Sequence, residues 1–150
     1  MKGHYEGNKK EVRALNAYVK LMRAAESVTA RTYRHLADVG LTISQFGVLE
    51  AIYHLGPLSQ RDIGKKILRS SGNITMVIDN LEKRGLVKRE RSQEDRRFLT
   101  AHLTKDGHSL FREIFPQHAA AIVEEMNTLT KPEQEELGRL CRKLGLRERR

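Results

Sequence analysis

At Gly85 the hydrophobic rhythm of this chain changes, and that change restricts its fold more than any other feature. Before it, Ile74, Val77, Ile78 and Leu81 fall at i, i+3, i+4 and i+7, which is one apolar stripe of a helix. "KRG" closes that helix, with Gly85 just past the last turn, where the backbone turns left-handed. After it, "LVKRERS" and "RFLTAHL" partly alternate apolar and polar residues around a polar turn, the pattern of a β-hairpin. Upstream, "RSSGN" offers Ser70 or Ser71 as the helix cap. Ser59 caps a shorter helix bearing Ile63, Ile67 and Leu68. Ser44 caps another, with Phe46, Val48, Leu49, Ile52 and Tyr53 facing inward. Residues 44–103 therefore read as three helices and a two-stranded hairpin, a helix-turn-helix with a wing.

Long helices flank this middle. From residue 9 to about 38, Val12, Leu15, Val19, Met22, Ala25, Val28 and Leu36 recur at helical spacing, and Gly40 ends the run. Thr104 caps "KDGHSLFREIFPQHAAAIVEEM", with a bend expected at Pro116. Thr130, Pro132 and Glu133 form the start of a last helix with a capping box, carrying Leu137, Leu140 and Leu144. The expected fold class is mainly α with a small β-hairpin wing.

The charge is distributed to match. The chain of 150 residues carries +9, and its pI is about 9.9, which favours polyanions, nucleic acid first and anionic membrane second. Residues 59–105 hold 12 Lys and Arg against 6 Asp and Glu, two-thirds of the net charge in under a third of the length. A major groove admits one α-helix, whose N-terminal residues touch base edges and must be small or flexible and polar. "SSGNITM" fits, so Ser70, Ser71, Gly72, Asn73, Thr75 and Met76 are expected in the major groove. Asn73 can pair bidentately with adenine, Thr75 can bond a base or place its methyl against thymine, and Ser70 and Ser71 suit a phosphate at the helix N-terminus. Taken singly, Asn and Ser at a helix start are more often caps than readers. Ser59, Gln60, Lys65, Lys66, Arg69 and Arg91 are expected at phosphates, with Lys83, Arg84, Lys88 and Arg89 nearby.

The hairpin tip is "SQEDRRFLT". A guanidinium is weakly hydrated and suits the negative potential of a narrow minor groove. Arg97 is expected there, Asp95 is expected to aim it, and Arg96 is left to a phosphate or a structural partner. As an isolated feature, the tip reads equally well as a solvated ion pair.

With those residues in place, the chain resembles the MarR family of bacterial transcription regulators from about Leu15 to Leu144. The resemblance is carried by "LTISQFGVLEAI", "LSQRDIGKKI", "SSGNITMVIDNLEKRGLVKRERSQEDRR" and "HLTKDG". It implies a homodimer with intertwined terminal helices, binding a near-palindromic operator as a regulator, usually a repressor. The residues agree: Leu15, Val19 and Met22, then Leu110, Ile114, Ile122 and Met126, then Leu137, Leu140 and Leu144 form more apolar surface than a small reading unit can cover. The chain accordingly divides into residues 1–38 and 104–150 for dimerisation and 39–103 for reading DNA. Resemblance also implies a small phenolic or lipophilic anionic effector that weakens DNA binding, and Tyr33, His35, Phe46 and Phe111 are candidates for its pocket, with core packing competing for the two Phe residues.

Other chemistries lack their signatures. Cys141 has no disulfide or CxxC partner, and its place on an apolar stripe predicts a buried structural thiol; peroxide-sensing relatives carry theirs near the start of the first long helix. The six histidines show no metal-ligand spacing, so neither metal nor cofactor is expected. There is no phosphate loop, nucleophile elbow or HExxH, which excludes an enzyme of those kinds. No apolar run spans a membrane and "MKGHYEGNKK" is no secretion signal, so a cytoplasmic protein is expected. A winged module that docks another protein or RNA is the remaining rival.

Overall fold

A computed structural model describes residues 5–67 and 73–148. Its elements run α1 (Lys9–Thr32), a 3-10 turn (Arg34–Val39), α2 (Ile43–Leu55), β1 (Leu58–Ser59), α3 (Gln60–Lys66), α4 (Ile74–Lys83), β2 (Val87–Arg91), β3 (Leu99–Leu103), α5 (Lys105–Met126) and α6 (Lys131–Gly145). The architecture is mainly helical with one small antiparallel sheet, as the change of period requires. Contacts group the chain into two compact units, residues 33–118 and the two flanking stretches together.

Residues 33–118 hold the core. Phe46, Val48, Leu49, Ile63, Ile78, Leu81 and Phe111 are fully buried. Burying each large side chain here contributes about 1.5–3 kcal/mol. Residues 105–118 of α5 belong to this core, so Ile114 is buried and Leu110 half-buried within the chain itself. Those two residues leave the set assigned above to a partner subunit.

Strand order is β1-β3-β2. Val87 pairs with Leu103 and Arg91 with Leu99 in the hairpin, while Leu58 and Ser59 add a short third strand beside Ala101 and Thr100. Alternation on two residues is too short to read, so the sequence pattern gave no sign of β1. Gly85, at φ +72°, closes α4: its N–H donates to Glu82 O at 2.9 Å, and Leu86 N–H to Leu81 O at 3.0 Å. These paired bonds turn the chain from helix into β2.

Gly107 explains the spacing of "LTKDG". A Cβ there would lie 2.1 Å from the Leu86 carbonyl oxygen, which accepts the Thr104 N–H at 3.1 Å. Thr104 Oγ1 accepts the Gly107 N–H at 3.0 Å and donates to Gly85 O at 2.6 Å. The hairpin and α5 are therefore joined backbone to backbone.

Two expectations for the helices change. The first long helix stops at Thr32, whose hydroxyl donates to its own Val28 and Thr29 carbonyls at 2.9 and 3.3 Å, and the chain continues as the 3-10 turn. Thr42, not Ser44, caps α2: its Oγ1 accepts the Gln45 N–H at 3.1 Å and Gln45 Oε1 accepts its N–H at 3.0 Å. Ser44 falls inside the first turn. Cys141 is exposed, because α6 has no buried residue within the chain. By contrast, Ser59 caps α3 and Thr130 with Glu133 boxes α6 as the spacing predicts.

In the other unit, Arg31 donates two hydrogen bonds to the Glu125 carboxylate, at 2.7 and 2.8 Å. Leu15, Val19 and Met22 of α1, Ile122 and Val123 of α5, and Leu137, Leu140 and Leu144 of α6 are exposed. Among the described residues, no helix is long and apolar enough to cross a membrane.

Candidate nucleic-acid interface

Ser59 begins the local construction. Its Oγ accepts the Asp62 N–H at 3.1 Å and fixes the start of α3, so Gln60 stands beside α4, where its Nε2 donates to Thr75 Oγ1. Lys65 and Lys66 are exposed at the far end of α3. Ser70, Ser71, Gly72 and Arg69 lie outside the described residues, as does Leu68. Asn73 opens α4 as its cap, with Oδ1 accepting the Met76 N–H at 3.2 Å. The cap takes one lone pair of Oδ1; its second lone pair and the amide N–H group stay available to a base. Thr75 and Met76 are exposed on the first turn, Met76 at 58%.

Four of the cations counted near this helix have structural partners. Arg89, on β2, bonds Asp79 and Glu82 of α4, reaching Glu82 from its backbone N–H at 3.2 Å and its Nη2 at 3.3 Å. These bonds hold the Glu82 carboxyl below its usual range and raise the Arg89 guanidinium. Arg84 donates to the carbonyls of Gly40 and Val39 at 2.8 and 3.1 Å, tying the end of α4 to the turn before α2. Lys88 pairs with Glu90 at 2.9 Å. Arg91 Nη1 donates to the Arg96 carbonyl at 2.8 Å, bracing the wing from within.

The wing tip is ordered by short-range bonds. Ser92 Oγ accepts the N–H groups of Glu94 and Asp95 at 3.3 and 3.4 Å. Asp95 in turn accepts the Arg97 backbone N–H at 3.0 Å, and its carboxylate takes Arg97 Nε at 3.0 Å and Nη2 at 2.7 Å. The Arg97 side chain is nevertheless 84% exposed. Its charge-assisted bonds hold the Asp95 carboxyl below its usual range. A long cation is thus aimed outward without being buried. Arg96 is exposed, and Phe98 beside the pair is 53% exposed.

A cavity of about 250 Å³ lies within the same unit, lined by Tyr33, Ile43, Gly47, Glu50, Ala51, His54, Leu55, Lys66 and Ile67. Of the four expected pocket residues, only Tyr33 lines it. Phe46 and Phe111 are fully buried, their rings 5.5 Å apart, and His35 sits edge-on to Phe46 at 6.4 Å. The sequence pattern did not point to Glu50 or His54. They share one face of α2 at i, i+4, a signal legible only once the apolar face of α2 is fixed. Burial raises the Glu50 carboxyl above its usual value.

A short helix pair, an exposed helix start and a braced cationic hairpin on one core define a winged helix-turn-helix protein of the DNA-binding type. The MarR family model matches residues 41–98. YkoM of Bacillus subtilis, an HTH-type transcriptional regulator, is 39% identical over 93% of this chain and 91% of its own. MhqR of the same organism, also an HTH-type transcriptional regulator, is 38% identical over 89% and 92%. This chain belongs to the MarR family and is a DNA-binding transcription regulator, not an enzyme. Among solved structures, BpsR of Bordetella bronchiseptica, whose DNA binding is regulated by 6-hydroxynicotinic acid, is 26% identical with a TM-score of 0.78 over 95% of this chain and 98% of its own. Sco3205 of Streptomyces coelicolor, solved with DNA, shares the fold at a TM-score of 0.80 and 23% identity, over 95% and 90%.

Proposed function

We propose that a homodimer of this chain binds a near-palindromic operator as a repressor, with α4 in successive major grooves and each wing in the adjoining minor groove. The Asp95–Arg97 pair supports this reading: an exposed guanidinium held in one direction by its neighbour's carboxylate suits a narrow groove of high negative potential. Ser70, Ser71, Gly72, Asn73, Thr75 and Met76 face the bases. Ser59, Lys65, Lys66, Arg69 and Arg91 lie toward phosphates, and Arg96 follows the backbone. Specificity from one short helix covers few base pairs, which favours two-fold use of half-sites one helical turn apart. The exposed stripes of α1, α5 and α6 supply the matching apolar surface.

The reading extends to release by a small phenolic or lipophilic anionic effector, supported by the cavity beside Tyr33 and by the regulation of BpsR by 6-hydroxynicotinic acid. Lys66 supplies the cation for such a ligand, and burial raises the Glu50 carboxyl that lines the same cavity. A ligand held against α2 and the end of α3 shifts the balance between reading positions only by its differential affinity for them.

Binding titrations with the protein's own promoter region test the reading. Arg97→Ala is expected to weaken operator binding about tenfold or more and to reduce the preference for A·T-rich flanks, whereas Lys66→Ala weakens all duplexes alike and lowers the salt slope by about one. Unchanged affinity in Arg97→Ala removes the wing from the interface. Equal binding of the wild type to any duplex removes the operator.

A further inference from the structure

We infer that Gln60 determines which bases Thr75 can face, by fixing the direction of the Thr75 hydroxyl proton. The inference rests on the placement of α4 in the major groove. It departs from the phosphate contact that position alone suggests for Gln60.

A hydroxyl carries one proton and two lone pairs and rotates freely when nothing holds it. Here the Gln60 Nε2–H enters one lone pair of Thr75 Oγ1. The hydroxyl proton therefore cannot point toward Gln60. It turns outward, to the exposed side of the first turn of α4. The groups that accept it in a major groove are N7 and O6 of guanine, N7 of adenine and O4 of thymine; the cytosine N4 group only donates. Gln60 is itself held in place, since the Ser59 cap fixes the first turn of α3. The two helices together thus present a hydroxyl with a defined donor direction, where an isolated threonine is indifferent.

A reversal of the bond gives the test. In Gln60→Glu the carboxylate only accepts, so it takes the Thr75 proton and leaves lone pairs outward, which suit the N4 of cytosine or the N6 of adenine. The full-length wild type, Gln60→Glu, Gln60→Met, Thr75→Val and the double variant Gln60→Glu/Thr75→Val would be compared. Each would select from duplexes in which one half-site position at a time is randomised, at one salt concentration. Gln60→Glu is expected to move the ratio of cytosine to guanine and thymine about five- to tenfold at one position per half-site. Gln60→Met flattens preference at that position, and Thr75→Val makes Gln60→Glu silent there. A Gln60→Glu protein that keeps the wild-type base ranking, or binds every duplex more weakly by one factor, overturns the inference while leaving α4 in the groove. A Thr75→Val protein with every base preference intact means that Thr75 faces no base and overturns the inference as well, whereas a wild type indifferent to the base at every half-site position overturns the placement of α4.

Discussion

Gly107→Ala is the substitution whose effect can be worked most directly from distances. The added methyl meets the Leu86 carbonyl oxygen at 2.1 Å, against a floor of 3.0 Å for real Cβ contacts, so the carbonyl must retreat by most of an ångström. That oxygen accepts the Thr104 N–H at 3.1 Å, and the same retreat strains the Thr104 hydroxyl bond to Gly85 O at 2.6 Å. Weakening two hydrogen bonds costs about 1 kcal/mol each. Overpacking adds about 1–3 kcal/mol, and the better helix propensity of alanine returns up to about 1 kcal/mol. The net expectation is a loss of about 2–5 kcal/mol, or a Tm lower by about 4–20 °C for a chain of this size. Urea unfolding followed by circular dichroism measures it, with Gly64→Ala as the control. Gly64 lies in α3, where a Cβ meets nothing within 4 Å, so that variant should be unchanged or stabler by up to about 1 kcal/mol. A Gly107→Ala protein as stable as the wild type would mean that α5 and the hairpin are not in backbone contact.

Other outcomes follow from the ion pairs and the exposed stripes. Arg89→Met leaves Asp79 and Glu82 without their shared cation and should cost about 1 kcal/mol of stability, with operator affinity falling as well because two carboxylates then face the phosphates; restoring affinity by adding Glu82→Gln checks that cause. The Glu82 carboxyl is lowered on folding, so the unfolded chain binds its proton first: the pair's stabilisation is present above the unfolded value near pH 4 and is lost as pH falls through the folded one. Arg89→Met should therefore flatten the acid limb of a Tm–pH profile, and an unchanged limb would count against the pairing. Leu140→Lys, on a residue 47% exposed in the chain alone, should give a folded monomer by sedimentation equilibrium, while a dimer that persists places the subunit interface elsewhere.

Much of this architecture was legible because its signals are local. Thr130 and Glu133 are three residues apart, Asp95 and Arg97 two, and the stripe of α4 lies within eight, so each interaction sits inside a window that sequence can display. The Thr42 box was displayed as well, through Gln45, but the neighbouring Ser44 offered an equally plausible hydroxyl. What escaped depends on distance along the chain or on what surrounds a face. Arg89 finds Asp79 ten residues away and Gln60 finds Thr75 fifteen away, pairings that only the packing of α3, α4 and β2 brings together. The 3-10 turn hid because Val28 and Leu36 keep an eight-residue interval whether or not the helix is continuous. Cys141 shows the same dependence: its apolar neighbours imply a covered face, and within one chain Leu137, Leu140 and Leu144 are all uncovered, so what would bury the thiol lies outside a single copy.

The tie from Arg89 has an evolutionary corollary. Acidic side chains on a helix that approaches a polyanion are a liability, and here one cation from the adjacent strand camouflages both. Positions 79, 82 and 89 should consequently drift as a trio among relatives: a lineage that discards the arginine is expected to have shed the two acids with it.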